Sequence, residues 1–220
     1  MRPLFLLFAS LAFHCASAAP FAVQMGDARV ALDAPPGFAD VQGTGSPRLL
    51  ELAETLTSAS NRILLFGLED SDVRRFSVGD APEFRRYCLV VTPKEVQGAR
   101  VTQAAFRQLV SDALRELGAP AAAGADLRGL LDGARGRPVL LAELKNDHDV
   151  ASVLHGARMP EAPRGPDSAR YLLSSTTLLL VRGRALNLSL YSLYETPADL
   201  EWMRAVTLRW VEEVQRLNNR

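Results

Sequence analysis

Cysteine, histidine and lysine are all scarce in this 220-residue chain, which holds two cysteines and three histidines. Lysine occurs only at Lys94 and Lys145, so the positive charge is almost all arginine, and with the abundant alanine this reads as the codon bias of a GC-rich bacterial genome. Cys15 and Cys88 are too few for the disulfide framework that staples small secreted folds. An excess of one charge is also missing, because 25 Lys and Arg balance 25 Asp and Glu. Such a chain has no field to gather nucleic acid or anionic lipid. The basic doublets Arg74-Arg75 and Arg85-Arg86 also lack the interleaved aromatics on which bases stack, and Arg182 and Arg184, which bracket a turn, read as a solvated surface. No Gly-x-Ser-x-Gly elbow occurs, so an esterase of that type has no nucleophile. Gly43 and Gly45 start a glycine pattern, but Arg48 stands where a dinucleotide fingerprint needs glycine, and no Gly-Lys-Ser/Thr end follows. No cofactor and no nucleic-acid partner are expected.

The one long apolar run stands at the start. Arg2 precedes residues 4–13, which are interrupted only by Ser10 and have the length of the apolar region of a secretory signal peptide. A membrane-spanning helix takes about 20 apolar residues, so an export signal is expected and no transmembrane segment after its removal. Ala16-Ser17-Ala18 supplies the small residues that precede a cut, which predicts cleavage between Ala18 and Ala19. A cut one residue later would meet Pro20. Lipid on Cys15 would need small residues where bulky Phe13 and His14 stand. Residues 1–18 are therefore expected to be removed and residues 19–220 to form one α+β domain in the periplasm or outside the cell. Cys88 then remains alone, without an internal disulfide, in the apolar run Tyr87-Cys88-Leu89-Val90-Val91, where a buried thiol is expected.

A hydrophobic fraction of 48% against 23% charged residues implies a packed core. Residues 23–25 and 28–32 flank Gly26-Asp27, which suits a type II′ hairpin. Ser46-Pro47 opens a helix expected over 47–59, with Leu49, Leu52, Ala53 and Leu56 on one face. Residues 63–68 and 86–92 are apolar runs without strict alternation, expected as strands covered on both faces, and between them lies a polar, arginine-containing stretch. Thr102 caps a helix expected over 103–117, and Gly118 stops it. An alanine- and glycine-rich connector over 119–137 carries one short helical pattern at Leu127, Leu130 and Leu131. Strands are expected over 139–144 and 150–154, a proline-rich surface loop over 156–167, and a hairpin of 171–181 and 185–194 turning at Arg182-Gly183. In its second strand Leu186, Leu188 and Leu190 share a core face, and Asn187, Ser189 and Tyr191 a wetter one. Thr196-Pro197-Ala198-Asp199 starts the last helix, whose stripe runs from Leu200 through Met203, Val206, Trp210 and Val214 to Leu217.

This order implies a mainly antiparallel sheet flanked by helices, an α/β/α sandwich. The Ser46-Pro47 helix entry, the closing hairpin around Arg182-Gly183 and the tryptophan-containing last helix resemble the PsbP/DcrB-like α/β/α sandwich proteins, many of them exported or lumenal. The resemblance is one of architecture and assigns no site residue.

Metal-ligating residue types concentrate only at Asp147-His148-Asp149, with His155 seven residues on. Imidazole and carboxylate together suit zinc, and His148 beside an acid suits a general base. Against this, neighbours in an extended chain point opposite ways, no i, i+4 pair exists, and Asn-Asp-His-Asp is ordinary turn composition. No catalytic residue is assigned. The expected function is that of a non-enzymatic accessory or binding protein of the bacterial envelope, acting on a protein or small molecule. The alternative is a periplasmic hydrolase or metal-dependent enzyme using Asp147, His148 and Asp149.

Overall fold

The computed structural model describes residues 20–122, 124–160 and 169–219. The expected signal segment with Cys15, and residues 161–167 of the expected loop, lie outside these. The strands are β1 (Phe21–Met25), β2 (Ala28–Leu32), β3 (Phe38–Asp40), β4 (Asn61–Glu69), β5 (Arg86–Pro93), β6 (Val139–Asn146), β7 (Val150–Arg158), β8 (Tyr171–Val181) and β9 (Arg184–Tyr194). The helices are α1 (Pro47–Thr55), α2 (Asp70–Ser77), α3 (Gln103–Leu117), α4 (Leu127–Gly133) and α5 (Pro197–Asn218). A seven-stranded sheet runs β3-β4-β5-β9-β8-β7-β6, and β1 and β2 form a separate hairpin. Every neighbouring pair in the large sheet is antiparallel. The fold is therefore α+β with a mainly antiparallel sheet flanked by helices.

One face of the sheet is covered by α5 and the β1–β2 hairpin. Met203, Trp210, Val211 and Val214 of α5 pack with Met25, Val30 and Leu32 of the hairpin onto Val90, Leu154, Leu173, Leu179 and Leu188. Trp210 is 1% exposed and donates its indole N–H to the Asp33 carbonyl at 2.8 Å. Hydroxyls on this face are paired: Thr207 donates to Ser175 at 2.7 Å, and Ser152 meets Thr177 at 2.8 Å. Such pairing removes the desolvation cost of burying them.

The other face has two smaller covers. Over β4 and β5, Leu49 and Ala53 of α1 and the partly buried Val73 and Phe76 of α2 meet Phe66, Leu68, Leu89 and Val91. Over β7 and β8, Phe106 and Val110 of α3 meet Ala151, Leu178 and Leu180. β4 and β5 are buried on both faces for this reason, as their unbroken apolar runs imply.

Several boundaries differ from the sequence expectation. The arginine-containing stretch after β4 folds as α2, with Asp70 and Asp72 in its first turn and Arg74 and Arg75 in its last, the arrangement that complements the helix dipole. Helix α1 stops at Thr55. Strand β7 runs on to Arg158, so Gly156, Ala157 and Arg158 are sheet and not loop. Arg184 is not solvated: it is 3% exposed, donates to the Gly98 carbonyl at 2.6 Å and pairs with Asp27, fastening the first hairpin to the segment before α3.

Helix α5 begins with the expected capping box of Thr196 and Asp199. The Asp199 carboxylate accepts the backbone N–H groups of Glu195 at 3.0 Å and Thr196 at 2.9 Å, and the Arg86 guanidinium at 2.9 Å. Arg86 also reaches Glu69 at 3.5 Å and stacks 3.9 Å from the centre of the Trp202 ring. Burial alone would raise the Asp199 pKa, but those N–H donors and Arg86 outweigh it and hold the carboxyl below its ordinary value.

The stability that Asp199 contributes is present above the ordinary carboxylate pKa and is lost as pH falls through the lower folded value. Asp199→Asn is expected to cost about 3 kcal/mol at neutral pH, because Arg86 loses its buried partner. It should also flatten the acid limb, so urea midpoints of the two proteins at about pH 7 and pH 2 check both effects. Close packing supplies a second prediction. A Cβ on Gly67 would stand 2.4 Å from the Cys88 Sγ, so Gly67→Ala is expected to cost about 1–3 kcal/mol. Adding Cys88→Ala should recover most of that cost in a double-mutant cycle, whereas additive costs would show that the sulfur is not the obstacle.

Candidate functional site

Between the two covers of the second face lies a strip of sheet with different chemistry. Strand register arranges it in rows, since cross-strand partners share a face and stand about 5 Å apart at Cβ. One row is His155, Ser174, Tyr191 and Tyr87, and the next is Val153, Thr176, Ser189 and Leu89. A third is Ala151, Leu178, Asn187 and Val91. The rows are apolar or aromatic at the helix-covered ends and mostly polar on β8 and β9 between them. Ser174, Thr176, Asn187 and Tyr191 are half-buried, and Ser189 donates to the Asn187 side-chain oxygen at 3.2 Å. This is a floor of hydroxyl and amide groups without a formal charge. Tyr191 closes one side by stacking on Tyr87 with ring centres 4.5 Å apart. Burial, and then the neighbouring Tyr191, push the Tyr87 hydroxyl pKa up, so that ring stays a neutral phenol at physiological pH.

The floor runs into a cleft of about 360 Å³ beneath the second half of α3. Val110, Ala113, Leu114 and Leu117 form its roof, and Val153, His155, Thr176 and Leu178 its base, with Glu116 at the edge. Thr102 sets the start of α3 by accepting the Ala105 N–H at 3.2 Å. Phe106 and Val110 anchor the first two turns in the sheet, while no residue of the helix after Val110 is fully buried and Leu117 in the last turn stays 39% exposed. The helix is therefore held firmly at one end and spans a gap at the other. Two larger depressions, of about 590 and 750 Å³, flank β4. Charged side chains border both of them, Arg62 in each and Glu51, Glu54 and Lys94 in the second.

His155 lies in the base of the cleft, and its Nε2 is buried with no hydrogen-bond partner among the described residues. Burial lowers its pKa, so the imidazole is neutral at physiological pH. Ser174 is its direct cross-strand neighbour, a juxtaposition that sequence reading could not find because 19 positions separate the two. No hydrogen bond joins them, so the pair lacks the contact by which a base activates a nucleophile.

The other metal-type residues stand apart from His155. Asp147, His148 and Asp149 occupy the β6–β7 turn, and at about 3.3 Å per residue His155 lies roughly 20 Å along β7 from Asp149. His148 has a 72% exposed side chain with Nε2 3.9 Å from Asp149. Asp149 accepts the Gln215 side-chain amide at 3.2 Å, and the Asp147 carbonyl accepts Arg107 at 2.6 Å, so the turn is bound to α5 and α3. Among the described residues, no three of His, Cys, Asp and Glu gather as a metal site. Cys88 is buried, and burial pushes its thiol pKa well up, which removes the thiolate a nucleophile needs.

A histidine whose folded pKa is depressed takes up its proton more readily in the unfolded chain, so it lowers stability as pH falls through its unfolded value of about 6.5. The unsubstituted protein is therefore expected to lose melting temperature between about pH 7 and pH 5 through His155, and His155→Leu to remove that contribution. A ring titration by NMR should place His155 below 6.5, and an unchanged acid limb in the variant would refute this assignment.

Comparison with known proteins yields no match: no family model, no curated protein and no solved structure is similar to this chain.

Proposed function

We propose that this chain is an exported, non-enzymatic binding protein of the bacterial cell envelope, and that it engages a protein or small molecule on the sheet face between α3 and α1. The observation that carries the reading is the uncharged polar floor of Ser174, Thr176 and Asn187, with the buried Ser189 hydrogen-bonded to Asn187. The three half-buried residues open to solvent between two apolar covers. A scaffold face would be closed by helix, and a catalytic site would show paired acid, base or nucleophile groups. A recessed, mostly apolar surface with a few polar groups is the usual form of a binding site. Among the described residues no helix is long and apolar enough to cross a membrane. Export rests on residues 1–18, with removal before Ala19. Kinship with the PsbP/DcrB-like proteins is supported by the antiparallel sheet with helices on both faces.

Cell fractionation with intact-mass measurement tests the export half, the expected species being a periplasmic protein that begins at Ala19. A cytoplasmic protein retaining residues 1–18 would overturn it. Crosslinking in intact cells followed by mass spectrometry tests the binding half. Thr176→Arg, which fills the floor with a charged chain, is expected to reduce partner capture at least fivefold, with His148→Ala leaving it unchanged. The opposite pattern, with both variants folded, would move the functional site to the β6–β7 turn and favour the hydrolase or metal-enzyme reading.

A further inference from the structure

We propose that the cleft under α3 and the hydroxyl floor beside it form one site for a neutral amphiphile, with an alkyl or aryl body beneath α3 and an uncharged, hydroxyl-bearing head on the floor. The inference rests on the binding reading above and adds the chemical class of ligand. Size sets the body. A cavity of about 150 Å³ accommodates benzene, and this cleft, at about 360 Å³, is more than twice that and takes a chain of about eight carbons. Lining sets the polarity, for Val110, Leu114 and Val153 offer hydrocarbon on both sides. Thr176 belongs to both the cleft and the floor, which makes the two regions continuous.

Charge sets the head. Among the described residues Glu116 is the one carboxylate that lines the cleft, and it repels an anionic ligand. His155 does not offset it, because an imidazolium there would place a buried N–H where the described residues supply no acceptor. The floor offers hydroxyl and amide groups, which hydrogen-bond an uncharged head and provide no counter-charge for a carboxylate or phosphate.

Octyl glucoside below its micellar concentration, octanoate and glucose are suitable probes, followed by methyl NMR on the whole protein. Octyl glucoside is expected to give saturable shifts at Val110, Leu114 and Val153, octanoate to bind at least tenfold more weakly, and glucose alone to give no shift. Ala113→Phe, which fills the cleft from α3, should abolish binding with the melting temperature unchanged or raised, and Leu117→Trp at the rim replaces it if that variant unfolds. Thr176→Val, nearly isosteric, is expected to weaken octyl glucoside about two- to tenfold, the worth of one hydrogen bond, and to leave octanoate unchanged. Octanoate binding as tightly as the glucoside, shifts that persist in the filled variant, or no saturable shift with any probe would overturn the proposal. Because partner capture by crosslinking is measured separately, its success beside a failed titration would leave the binding reading standing and remove only the ligand class.

Discussion

The Asp199 carboxylate fixes where the largest helix begins, and most of the fold takes its position from that point. Its two backbone donors stop the chain from continuing as strand after Tyr194, and its bond to Arg86 ties the helix start to β5 near the middle of the sheet. The far end of α5 is held as firmly. The Asn218 side chain donates to the Ala31 carbonyl at 2.8 Å and accepts the Ala31 N–H at 2.9 Å, as a strand neighbour would. A helix of 22 residues spans about 33 Å, so these two clamps set the angle at which α5 lies across the sheet. Arg182 extends the second clamp by donating to the Asn218 carbonyl at 3.2 Å and to the Arg29 carbonyl at 3.1 Å. The first hairpin is thereby locked against the helix and not against the sheet edge.

One face then has a continuous cover, and the other must be covered by shorter helices carried on connections between strands. Helices α1 and α2 follow β3 and β4 and stay near those strands, while α3 follows β5 and must cross to reach β7 and β8. The loop before α3 is held at Val101, whose N–H donates to the Gly183 carbonyl at 2.8 Å, at the far end of the β8–β9 hairpin. Chain connectivity thus draws the two covers to opposite sides and leaves β9 and part of β8 between them. The polar residues of that strip answer to this geometry, because apolar side chains there would form an exposed patch of the kind that promotes association.

Much of this was legible in the residues. The alternation of Leu186, Leu188 and Leu190 with Asn187, Ser189 and Tyr191 already separates the core face of β9 from the wetter one, and the structure places α5 and the open floor accordingly. Helices α3 and α5 were readable because a cap and a full apolar stripe coincide, with Gly118 as a stop for α3. Helix α2 was not, since Val73 and Phe76 are its only large apolar residues and its support comes from charge placement and from Asp72, which accepts the N–H groups of Glu83 and Phe84. The extent of β7 was hidden by Gly156, which reads as a loop signal. In the sheet that glycine faces Leu131 of α4, and a Cβ there would stand 3.1 Å from the leucine methyls. The assembled site could not be read from sequence, because Ser174, Tyr191 and His155 become neighbours only through strand register. The histidine that sequence composition favoured, His148, sits in an exposed turn.

The two faces hold their hydroxyl groups differently. Under α5, Ser152, Ser175, Thr177 and Thr207 are excluded from water and joined in pairs. On the α3 face, the hydroxyls of Ser174 and Thr176 lie where solvent reaches, yet the Nε2 of His155 has neither solvent nor a partner among the described residues. An unsatisfied buried polar group costs about 1–3 kcal/mol, a cost that leucine at position 155 would not incur in the same apolar surroundings. Protein folds depart from local rules of this kind mainly where function constrains them. Asp33 Oδ1, Arg184 Nε and Arg204 Nε are likewise buried without a hydrogen-bond partner among the described residues; what sets His155 apart is its place in the base of a cleft, beneath the less firmly seated end of a helix and beside an uncharged polar floor.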